Sequence, residues 1–293
     1  MKIGFIGLGQ MGSGMAARLQ ASGEPLTLFN RSPEKLQALI DQGAQAAQSL
    51  RDFADTDVIF TMLADDHAVA SLVLGEEGLL AQMQPGAVHV SCSTISVALS
   101  AQLAEAHTRA GQEYLAAPVF GRPDAAAAGK LFLVLAGKPA IISRLQPLFD
   151  RMGQRSFVVA EAPEKANLVK LSGNFLIASV IESLGEAMAL VEKGGVDRHA
   201  YLELLTSSLF NVPLYKNYGG LIADRKFTPP GFAAPLGQKD MRLVRAAAEN
   251  LNVPLPLASL LHDRFIRLAA EGATSRDWSA IAKLAAQDAG LSS

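Results

Sequence analysis

Lys2-Ile3-Gly4-Phe5-Ile6-Gly7-Leu8-Gly9-Gln10-Met11-Gly12 is the stretch that decides the fold of this chain. Its first five residues read as a short buried strand, and residues 13–21 have helical composition. The pattern G-x-G-x-x-G therefore stands between a strand and a helix, the context that indicates dinucleotide binding. We expect Gly7 to permit a tight turn, Gly9 to let a pyrophosphate approach, and Gly12 to let the helix pack on the strand. The helix then directs its first N–H groups and its positive dipole end toward the phosphates.

A second strand, 26–29, ends at three residues that bear on the choice of cofactor: Asn30, Arg31 and Ser32. Cofactors with a free 2′-hydroxyl usually meet an Asp or Glu there. The amide, guanidinium and hydroxyl of this chain can all donate to a 2′-phosphate, which a carboxylate would repel. The alternative is that Arg31 is a solvated surface cation. The missing acid and the three donors together favour NADP(H) over NAD(H).

Composition excludes several classes of function. The chain has 293 residues, of which 49% are hydrophobic, and a formal net charge of −2. This balance gives no electrostatic footprint for nucleic acid, and no basic run indicates a membrane surface. We count no apolar stretch of the roughly eighteen residues that span a membrane, and the first strand leaves no room for a signal peptide. Cys92, the single cysteine, lies in an apolar run and is expected to be a buried structural thiol. We therefore predict a cytoplasmic protein that binds neither nucleic acid nor membrane.

Strands alternate with helices over the first half of the chain. Further strands are predicted at 57–63, 88–92, 112–115, 131–136 and 156–159, and helices after 32, after 65 and from about 96 to 109. This alternation indicates an α/β fold with a mostly parallel, doubly wound sheet of Rossmann type.

The pattern changes near residue 160, where strand-like alternation stops. A long segment without proline, 165–193, is followed by helical segments at about 197–209, 236–250, 254–271 and 276–289, which prolines separate. We therefore predict an NADP-binding Rossmann domain at 1–162 and an all-α domain at 163–293.

Three polar segments are candidates for chemistry. Ser93-Thr94 follows a strand and so lies at the sheet edge where open α/β folds bind ligands, unless it only caps a helix. Lys170 and Asn174 are four residues apart in the long helical segment and share a face. A lysine in such an apolar run either extends to solvent or lies in a cleft, where it can exchange a proton with a hydroxyl. Lys239-Asp240 is an adjacent pair of opposite charge, which on a helix surface is usually solvated.

The chain resembles the short-chain-length β-hydroxyacid dehydrogenases, a family that includes 3-hydroxyisobutyrate dehydrogenase, tartronate semialdehyde reductase and glyoxylate/succinic semialdehyde reductase. The resemblance covers nearly all residues and rests on motifs in order: the glycine motif with Met15-Ala16, Ser93-Thr94, Pro118-Val119, Lys170 to Asn174, Phe232, Leu236 and Lys239-Asp240. It implies that Lys170 is the general acid/base, that Asn174 orients the substrate, and that Thr94 contacts the nicotinamide side. It also implies that Phe232, Lys239 and Asp240 form the wall that closes the cleft.

The predicted site residues fall into two sets, and no metal is predicted. The cofactor-binding set is Gly7, Leu8, Gly9, Gln10, Met11, Gly12, Asn30, Arg31, Ser32, Met62, Leu63, Thr94 and Lys239. The substrate-binding set, beside the catalytic Lys170, is Phe120, Gly121, Arg122, Asn174, Phe232, Lys239 and Asp240.

One departure from the family leaves the substrate open. The family commonly has Pro-Val-Ser-Gly-Gly at its carboxylate-binding turn, where this chain has Pro118-Val119-Phe120-Gly121-Arg122. The serine hydroxyl is absent, Phe120 adds apolar surface, and Arg122 adds a cation. Arg122 either replaces the hydroxyl as carboxylate binder or points to solvent.

These features predict an NADP(H)-dependent oxidoreductase of β-hydroxyacids or the corresponding semialdehydes or keto acids, with Lys170 as proton relay. A non-catalytic NADP(H)-binding protein is one alternative, and the presence of Lys170 argues against it. Reduction of an imine or of a less polar carbonyl is another alternative. Phe120 favours a less polar substrate, whereas Lys170 argues against imine reduction. We expect the enzyme to work as a reductase, because the predicted cofactor is NADP(H). We also expect a small carboxylate-bearing substrate and a homodimer or homotetramer assembled through the α-domain.

Overall fold

The computed structural model describes residues 1–21 and 23–291. The chain divides into two compact units, Met1–Lys170 (the N-terminal unit) and Leu171–Ser293 (the C-terminal unit). The division falls inside a long helix. The predicted domain limits, 1–162 and 163–293, stay a prediction.

A nine-stranded sheet forms the centre of the N-terminal unit, counted over the described residues. Its strands are β1 (Ile3–Ile6), β2 (Leu26–Phe29), β3 (Gln45–Ala46), β4 (Val58–Thr61), β5 (Val88–Ser91), β6 (Glu113–Ala116), β7 (Val119–Phe120), β8 (Leu131–Ala136) and β9 (Gly153–Ala160). The spatial order is β3-β2-β1-β4-β5-β6-β8-β7, with β9 paired to β8. Strands β1 to β6 pair in parallel, whereas β8 runs antiparallel to β6 and β7.

The strand order reverses between β1 and β4, which lie side by side with Ile3 opposite Val58 and Ile6 opposite Thr61. In open α/β sheets ligands bind outside the carboxyl ends of the strands at this kind of switch point. The loops after β1, β4 and β5 therefore mark the edge of the sheet where a ligand site is expected.

Thirteen α-helices occur in the described residues. In the N-terminal unit they are α1 (Gln10–Gln20), α2 (Gln37–Ile40), α3 (Asp66–Leu74), α4 (Leu79–Gln82), α5 (Val97–Arg109), α6 (Pro123–Ala127) and α7 (Pro139–Met152). Helix α8 (Glu164–Lys193) spans the division, and α9 (Arg198–Thr206), α10 (Pro213–Ala223), α11 (Ala234–Asn250), α12 (Pro256–Ala270) and α13 (Ile281–Asp288) complete the C-terminal unit. Short 3₁₀ helices lie at Pro33–Lys35, Leu50–Phe53 and Trp278–Ala280.

The sheet is covered on both faces, because its central strands are buried on both sides. Phe5 of β1 and Phe60 of β4 stack with ring centroids 6.3 Å apart and pack with Met15 of α1 on one face. Ile6 and Ile59, which alternate with them along the strands, pack on the opposite face. Such near-continuous apolar strands are typical of parallel sheets with helices on each side.

The C-terminal unit is helical and closely packed. A Cβ atom added to Gly185 of α8 would lie 2.6 Å from Ala282 of α13, so glycine lets these helices approach. Trp278 is buried, and its indole N–H donates to the hydroxyl of Tyr218 at 3.1 Å. The predicted fold class, a Rossmann-type α/β region followed by an all-α region, is confirmed.

Helix α8 corrects one statement made from the sequence. An 18-residue window of this 30-residue helix has a mean hydropathy of 1.5, so the helix is long and apolar enough to cross a membrane. The expectation that the chain has no such stretch was wrong. Helices in the core of soluble proteins reach the same length and hydropathy. In this chain 44% of the window is buried.

Candidate active site

The glycine turn after β1 has the geometry that a dinucleotide requires. Gly7 has φ 100°, and a Cβ atom there would lie 2.3 Å from the carbonyl oxygen of Met62. A Cβ atom on Gly12 would lie 1.9 Å from the carbonyl oxygen of Gly7, so only glycine lets α1 approach β1 this closely. A Cβ atom on Gly9 would have no other atom within 4 Å, so open space lies beside the first turn of α1.

The amino end of α1 supplies donors at this open space. The first bond of the helix runs from Ser13 N–H to the carbonyl oxygen of Gly9, so the amides of Gln10, Met11 and Gly12 precede the helical ladder. The first turn carries no acidic residue. Exposed amides and a positive dipole end form an anion site of the kind that holds a pyrophosphate. The residues present therefore fit the nicotinamide dinucleotide that the motif implies.

Asn30 has a structural role that the sequence did not reveal. Its side-chain oxygen accepts from the N–H of Leu8 at 2.9 Å, and its amide donates to the carbonyl oxygen of Ser32 at 2.9 Å. Asn30 therefore fixes the end of β2 against the glycine turn. Arg31, beside it, is exposed, and Ser32 is partly exposed. These two side chains are better placed than Asn30 to meet a 2′-phosphate.

Ser93 connects the loops after β4 and β5. Its buried hydroxyl accepts from the N–H of Leu63 at 2.8 Å, which fixes the predicted Met62-Leu63 segment. The cap of α5 is Ser96, whose hydroxyl accepts from the N–H of Leu99 at 3.0 Å. Ser93-Thr94 is therefore not a helix cap, and Thr94 stays partly exposed in the loop at the carboxyl edge of the sheet.

Lys170 is buried, with 8% of its surface exposed, and belongs to the same unit as the glycine turn. Asn167, one turn earlier on α8, is fully buried, and its amide nitrogen lies 3.4 Å from the carbonyl oxygen of Ser93. Residues three apart on a helix share a face. The face of α8 that carries Lys170 therefore meets the loop after β5, and the alternative of a lysine extended into solvent is excluded for this residue. Sequence reasoning did not single out Asn167.

The turn that departs from the family lies beside Lys170. The Lys170 Nζ atom is 4.2 Å from the centroid of the Phe120 ring. Gly121 has φ 142°, and a Cβ atom there would lie 2.5 Å from the Leu131 side chain, so the turn requires glycine. Arg122 is partly buried at the N-cap position of α6. Phe120 is thus a direct neighbour of the candidate catalytic group.

The remaining predicted residues lie in the C-terminal unit, where three of them form a buried cluster. The Asn174 amide donates to Asp240 Oδ2 at 2.5 Å, and Lys239 Nζ lies 3.2 Å from Asp240 Oδ1. Asp240 is fully buried and Lys239 is 9% exposed. The alternative of a solvated surface pair is excluded for Lys239 and Asp240, because α11 turns this pair inward against Asn174 of α8.

Phe232 contacts a different group of residues, Trp278 and Asp277. Its ring packs edge-on against Trp278 with centroids 4.8 Å apart, and its N–H donates to Asp277 Oδ2 at 3.1 Å. The side chain is partly exposed. Its predicted role toward substrate stays a prediction.

A series of hydrogen-bonded, buried polar side chains in the N-terminal unit was not predicted from the sequence. The Gln112 amide donates to the carbonyl oxygens of Leu80 and Met83, so its own oxygen faces His107 Nδ1 at 2.8 Å. His107 Nε2 lies 2.9 Å from His89 Nδ1, and His89 Nε2 lies 2.9 Å from the Thr61 hydroxyl.

The donors and acceptors in this series of hydrogen bonds follow from the Gln112 side-chain oxygen. Because that oxygen can only accept, His107 donates from Nδ1, His89 donates from Nδ1 to His107, and Thr61 donates to His89. Burial lowers the pKa of His107 to about 4, and burial together with the neighbouring His107 holds the pKa of His89 well below its usual range. Both rings are therefore neutral. No sequence signal marked the pair, because His89 lies in an apolar strand, His107 lies 18 positions later among Glu105, Thr108 and Arg109, and only the fold brings the two rings together.

Cys92 and the acidic residues give no sign of a metal centre. Cys92 is fully buried, and burial raises the pKa of its thiol to about 12, as expected for a structural cysteine. In the described part of the chain, no group of three or more His, Cys, Asp or Glu side chains could hold a metal ion.

Comparison with known proteins agrees with this geometry. Residues 2–160 match the family described as the NAD binding domain of 6-phosphogluconate dehydrogenase. Residues 165–285 match the family described as NAD-binding of NADP-dependent 3-hydroxyisobutyrate dehydrogenase.

Individual relatives match over almost their whole length. An uncharacterized oxidoreductase of Bacillus subtilis, YfjR, is 43% identical over 97% of this chain and 99% of its own. Glyoxylate/succinic semialdehyde reductase 1 of Arabidopsis thaliana is 30% identical over 96% of this chain and 97% of its own. The crystal structure of a 3-hydroxyisobutyrate dehydrogenase from Salmonella typhimurium superposes with a TM-score of 0.87 at 29% identity, covering 97% of this chain and 99% of that one.

The dinucleotide turn, the buried lysine of α8 and these matches lead to one conclusion. The chain belongs to the β-hydroxyacid dehydrogenase family of NAD(P)-dependent oxidoreductases.

Proposed function

We propose that this protein is an NADP(H)-dependent oxidoreductase that interconverts β-hydroxyacids and the corresponding semialdehydes or keto acids, and that it works mainly as a reductase. The observation that carries the proposal is the position of Lys170, buried in the unit that holds the glycine turn. A buried lysine beside a loop at the carboxyl edge of a Rossmann sheet is a suitable proton donor for a substrate oxygen. The lysine also argues against a non-catalytic protein.

The roles divide simply between cofactor and chain. When bound, the nicotinamide ring supplies the hydride for reduction or accepts it for oxidation. In the reductive direction the Lys170 ammonium gives its proton to the carbonyl oxygen as the carbon receives the hydride, which yields the alcohol. The neutral amine then regains a proton from water. In the oxidative direction the amine takes the hydroxyl proton.

Cofactor preference is part of the proposal. The exposed Arg31 guanidinium and the Ser32 hydroxyl follow β2, where NAD-specific folds usually carry an acid. A guanidinium can bind a 2′-phosphate by charge-assisted hydrogen bonds. This arrangement supports NADP(H) as the preferred cofactor.

Arg122 supports a carboxylate-bearing substrate. It follows the Phe120-Gly121 turn beside Lys170 and is partly buried. A guanidinium is the side chain best suited to bind a planar carboxylate through two hydrogen bonds. Replacement by lysine, which keeps the charge but loses the fork, should raise KM for carboxylate substrates and leave kcat little changed.

The exposed apolar surface of the C-terminal unit supports a homodimer or homotetramer. Leu190 of α8 is 74% exposed and Leu260 of α12 is 46% exposed, and both line an open cavity of about 390 Å³ that Glu186, Arg264 and Asp288 border with charge. Exposed apolar side chains rimmed by polar ones mark association surfaces. Light scattering should show a mass above 30.9 kDa, and Leu190→Lys should shift it toward the monomer. A cytoplasmic location remains part of this proposal.

The whole proposal is tested with a panel of semialdehydes, glyoxylate and 3-hydroxyacids, followed by NADPH absorbance. Turnover of at least one carboxylate-bearing carbonyl is expected, and it should disappear in Lys170→Ala. Equal turnover by this variant would overturn the proposal.

A further inference from the structure

Phe120 makes a contact with Lys170 that neither the glycine turn nor the family resemblance explains. Nζ of Lys170 lies 4.2 Å from the centroid of the Phe120 ring, over its face. Lys170 is 8% exposed, so its ammonium has lost most of its water. The negative face of an aromatic ring attracts a cation within about 6 Å, and the attraction is larger when the pair is desolvated.

The position of this ring is fixed by the backbone. Phe120 ends β7, which pairs antiparallel with β8 so that Phe120 stands opposite Phe132 and Val119 opposite Leu133. The next residue, Gly121, has φ 142°, a conformation that other residues rarely adopt. The chain therefore turns immediately after Phe120, and the ring has little freedom to move away from Lys170.

The apolar cluster against which Phe120 packs includes a residue of the helix that carries Lys170. Phe120 packs against a buried cluster that includes Ile95, Val134 and Ala166. Ala166 is four residues before Lys170 on α8, so it lies on the same helical face. The ring and the helix are thus held together by packing as well as by charge.

We infer that Phe120 is a positioning residue that holds the Lys170 ammonium over its ring and favours the protonated lysine. The inference rests on the proposed function, in which Lys170 relays the proton. A protonated lysine can donate its proton to the substrate oxygen. The ring therefore extends the pH range of substrate reduction to higher pH. A side chain that only filled space would leave this range unchanged.

The pH profile of kcat/KM separates the two possibilities. In the oxidative direction Lys170 must be deprotonated, so kcat/KM rises with pH and its midpoint reports the lysine. Phe120→Leu keeps an apolar side chain but removes the ring. We expect the midpoint to move to lower pH by about 0.5–1.5 units, the range for loss of a cation–π contact.

Further variants guard against changes of shape. Phe120→Trp, whose ring attracts cations more strongly, should move the midpoint upward. Phe120→Tyr should leave it near the wild-type value. The matched control is Phe157→Leu, the same change on β9, where the side chain is 40% exposed and should leave the profile unchanged. If Phe120→Leu does not fold, pentafluorophenylalanine at position 120 reverses the charge of the ring face and should lower the midpoint.

Failure of this inference is distinguishable from failure of the proposed function. If the ascending limb persists in Lys170→Ala, Lys170 is not the relay and the proposed function fails. Suppose instead that the ascending limb disappears in Lys170→Ala. If every Phe120 variant then shows the limb at the wild-type midpoint, Phe120 does not position the lysine. A lower kcat/KM at all pH values without a moved midpoint would likewise reduce Phe120 to a packing residue.

Discussion

The side-chain oxygen of Asn30 accepts a hydrogen bond from the N–H of Leu8 at 2.9 Å, so the end of β2 and the glycine turn after β1 are one connected structure. The residue that usually reads the ribose hydroxyl is used here to shape the phosphate loop. In the proposed function, recognition of a 2′-phosphate is therefore assigned to the neighbouring Arg31 and Ser32.

Arg31→Ala should reduce the preference for NADP(H). A charge-assisted contact to phosphate contributes about 1.5–3 kcal/mol, which corresponds to tenfold or more in affinity. The measurement is kcat/KM for NADPH and NADH in the wild type and the variant. Arg109→Ala, an exposed arginine at the end of α5, is the control and should change neither value. Equal efficiency with both cofactors in the wild type would contradict the prediction.

Lys170→Ala should lower kcat by about 10²–10⁴, the usual contribution of general acid–base catalysis, with a much smaller effect on NADPH affinity. Lys170→Arg should not restore activity, because a guanidinium stays protonated. The control is Lys165→Ala, an exposed lysine on the same helix. A raised KM with preserved kcat and rescue by arginine would instead show that Lys170 only anchors a substrate carboxylate.

Gly9→Ala and Gly12→Ala should separate cofactor binding from folding. An alanine Cβ at Gly9 meets nothing within 4 Å, so this variant should keep nearly normal stability but bind NADPH more weakly, because the Cβ enters the space beside the phosphate amides. At Gly12 the Cβ would lie 1.9 Å from the Gly7 oxygen, and we expect a loss of about 1–3 kcal/mol in stability. Urea unfolding and NADPH fluorescence titration measure the two effects. Normal NADPH affinity in Gly9→Ala would argue against this loop as the phosphate site.

The sequence predicted the parts of the molecule that depend on local pattern. The β1-α1-β2 unit, the helix beginning at Asp65-Asp66, and the long α8 all follow from periodicity, capping residues and turn chemistry. Helix α10 was missed because Pro213 was taken as a break, whereas proline at the first position of a helix begins it. The helix predicted after residue 32 begins instead as a 3₁₀ turn, Pro33–Lys35, before which Ser32 makes no capping bond.

Features that depend on distant partners could not be predicted in the same way. Strand β7 has only two residues and is recognisable only through its pairing with β8. The Lys239-Asp240 pair reads as a surface pair until α11 turns it toward Asn174. The contact of Phe120 with Lys170 joins residues fifty positions apart by a path that no local pattern shows.

The neutral His89–His107 pair should make the N-terminal unit less stable in acid. Burial lowers the pKa of His107 to about 4 from the usual 6.5, so the unfolded chain binds this proton first as pH falls. The stability is fully present above about 6.5 and is lost toward about 4, by an amount on the order of 3 kcal/mol. The side chains that face the pair, Thr61, Gln112 and Tyr114, are uncharged.

Urea unfolding at several pH values checks this slope. His107→Gln, whose amide can accept from His89 and donate to Gln112, should flatten the slope, whereas His67→Gln at an exposed position should not. An unchanged slope in His107→Gln would rule out the pair as its source.

Glu182 should give the C-terminal unit the opposite response. Burial raises the pKa of this carboxyl to about 7, although the nearby Arg264 lowers it, and Oε2 has no hydrogen-bond partner in the described residues. Because the folded state holds the proton more tightly, the stability present below about 4.5 is lost as pH rises toward about 7. Glu182→Gln should remove this loss. The exposed Glu249→Gln on α11 of the same unit is the control, and equal behaviour of the two variants would contradict the prediction.

The single tryptophan of the chain, Trp278, lies buried in the C-terminal unit against Tyr218 and Phe232. Its fluorescence is therefore an optical label for one unit, already built into the native chain. Far-ultraviolet circular dichroism records both units, so the difference between the two signals isolates the unfolding of the Rossmann unit. In acid the N-terminal unit should melt at a lower temperature relative to the C-terminal unit, and at neutral pH the difference should move the other way. Both unfolding transitions can thus be followed in one unmodified sample, without cutting α8.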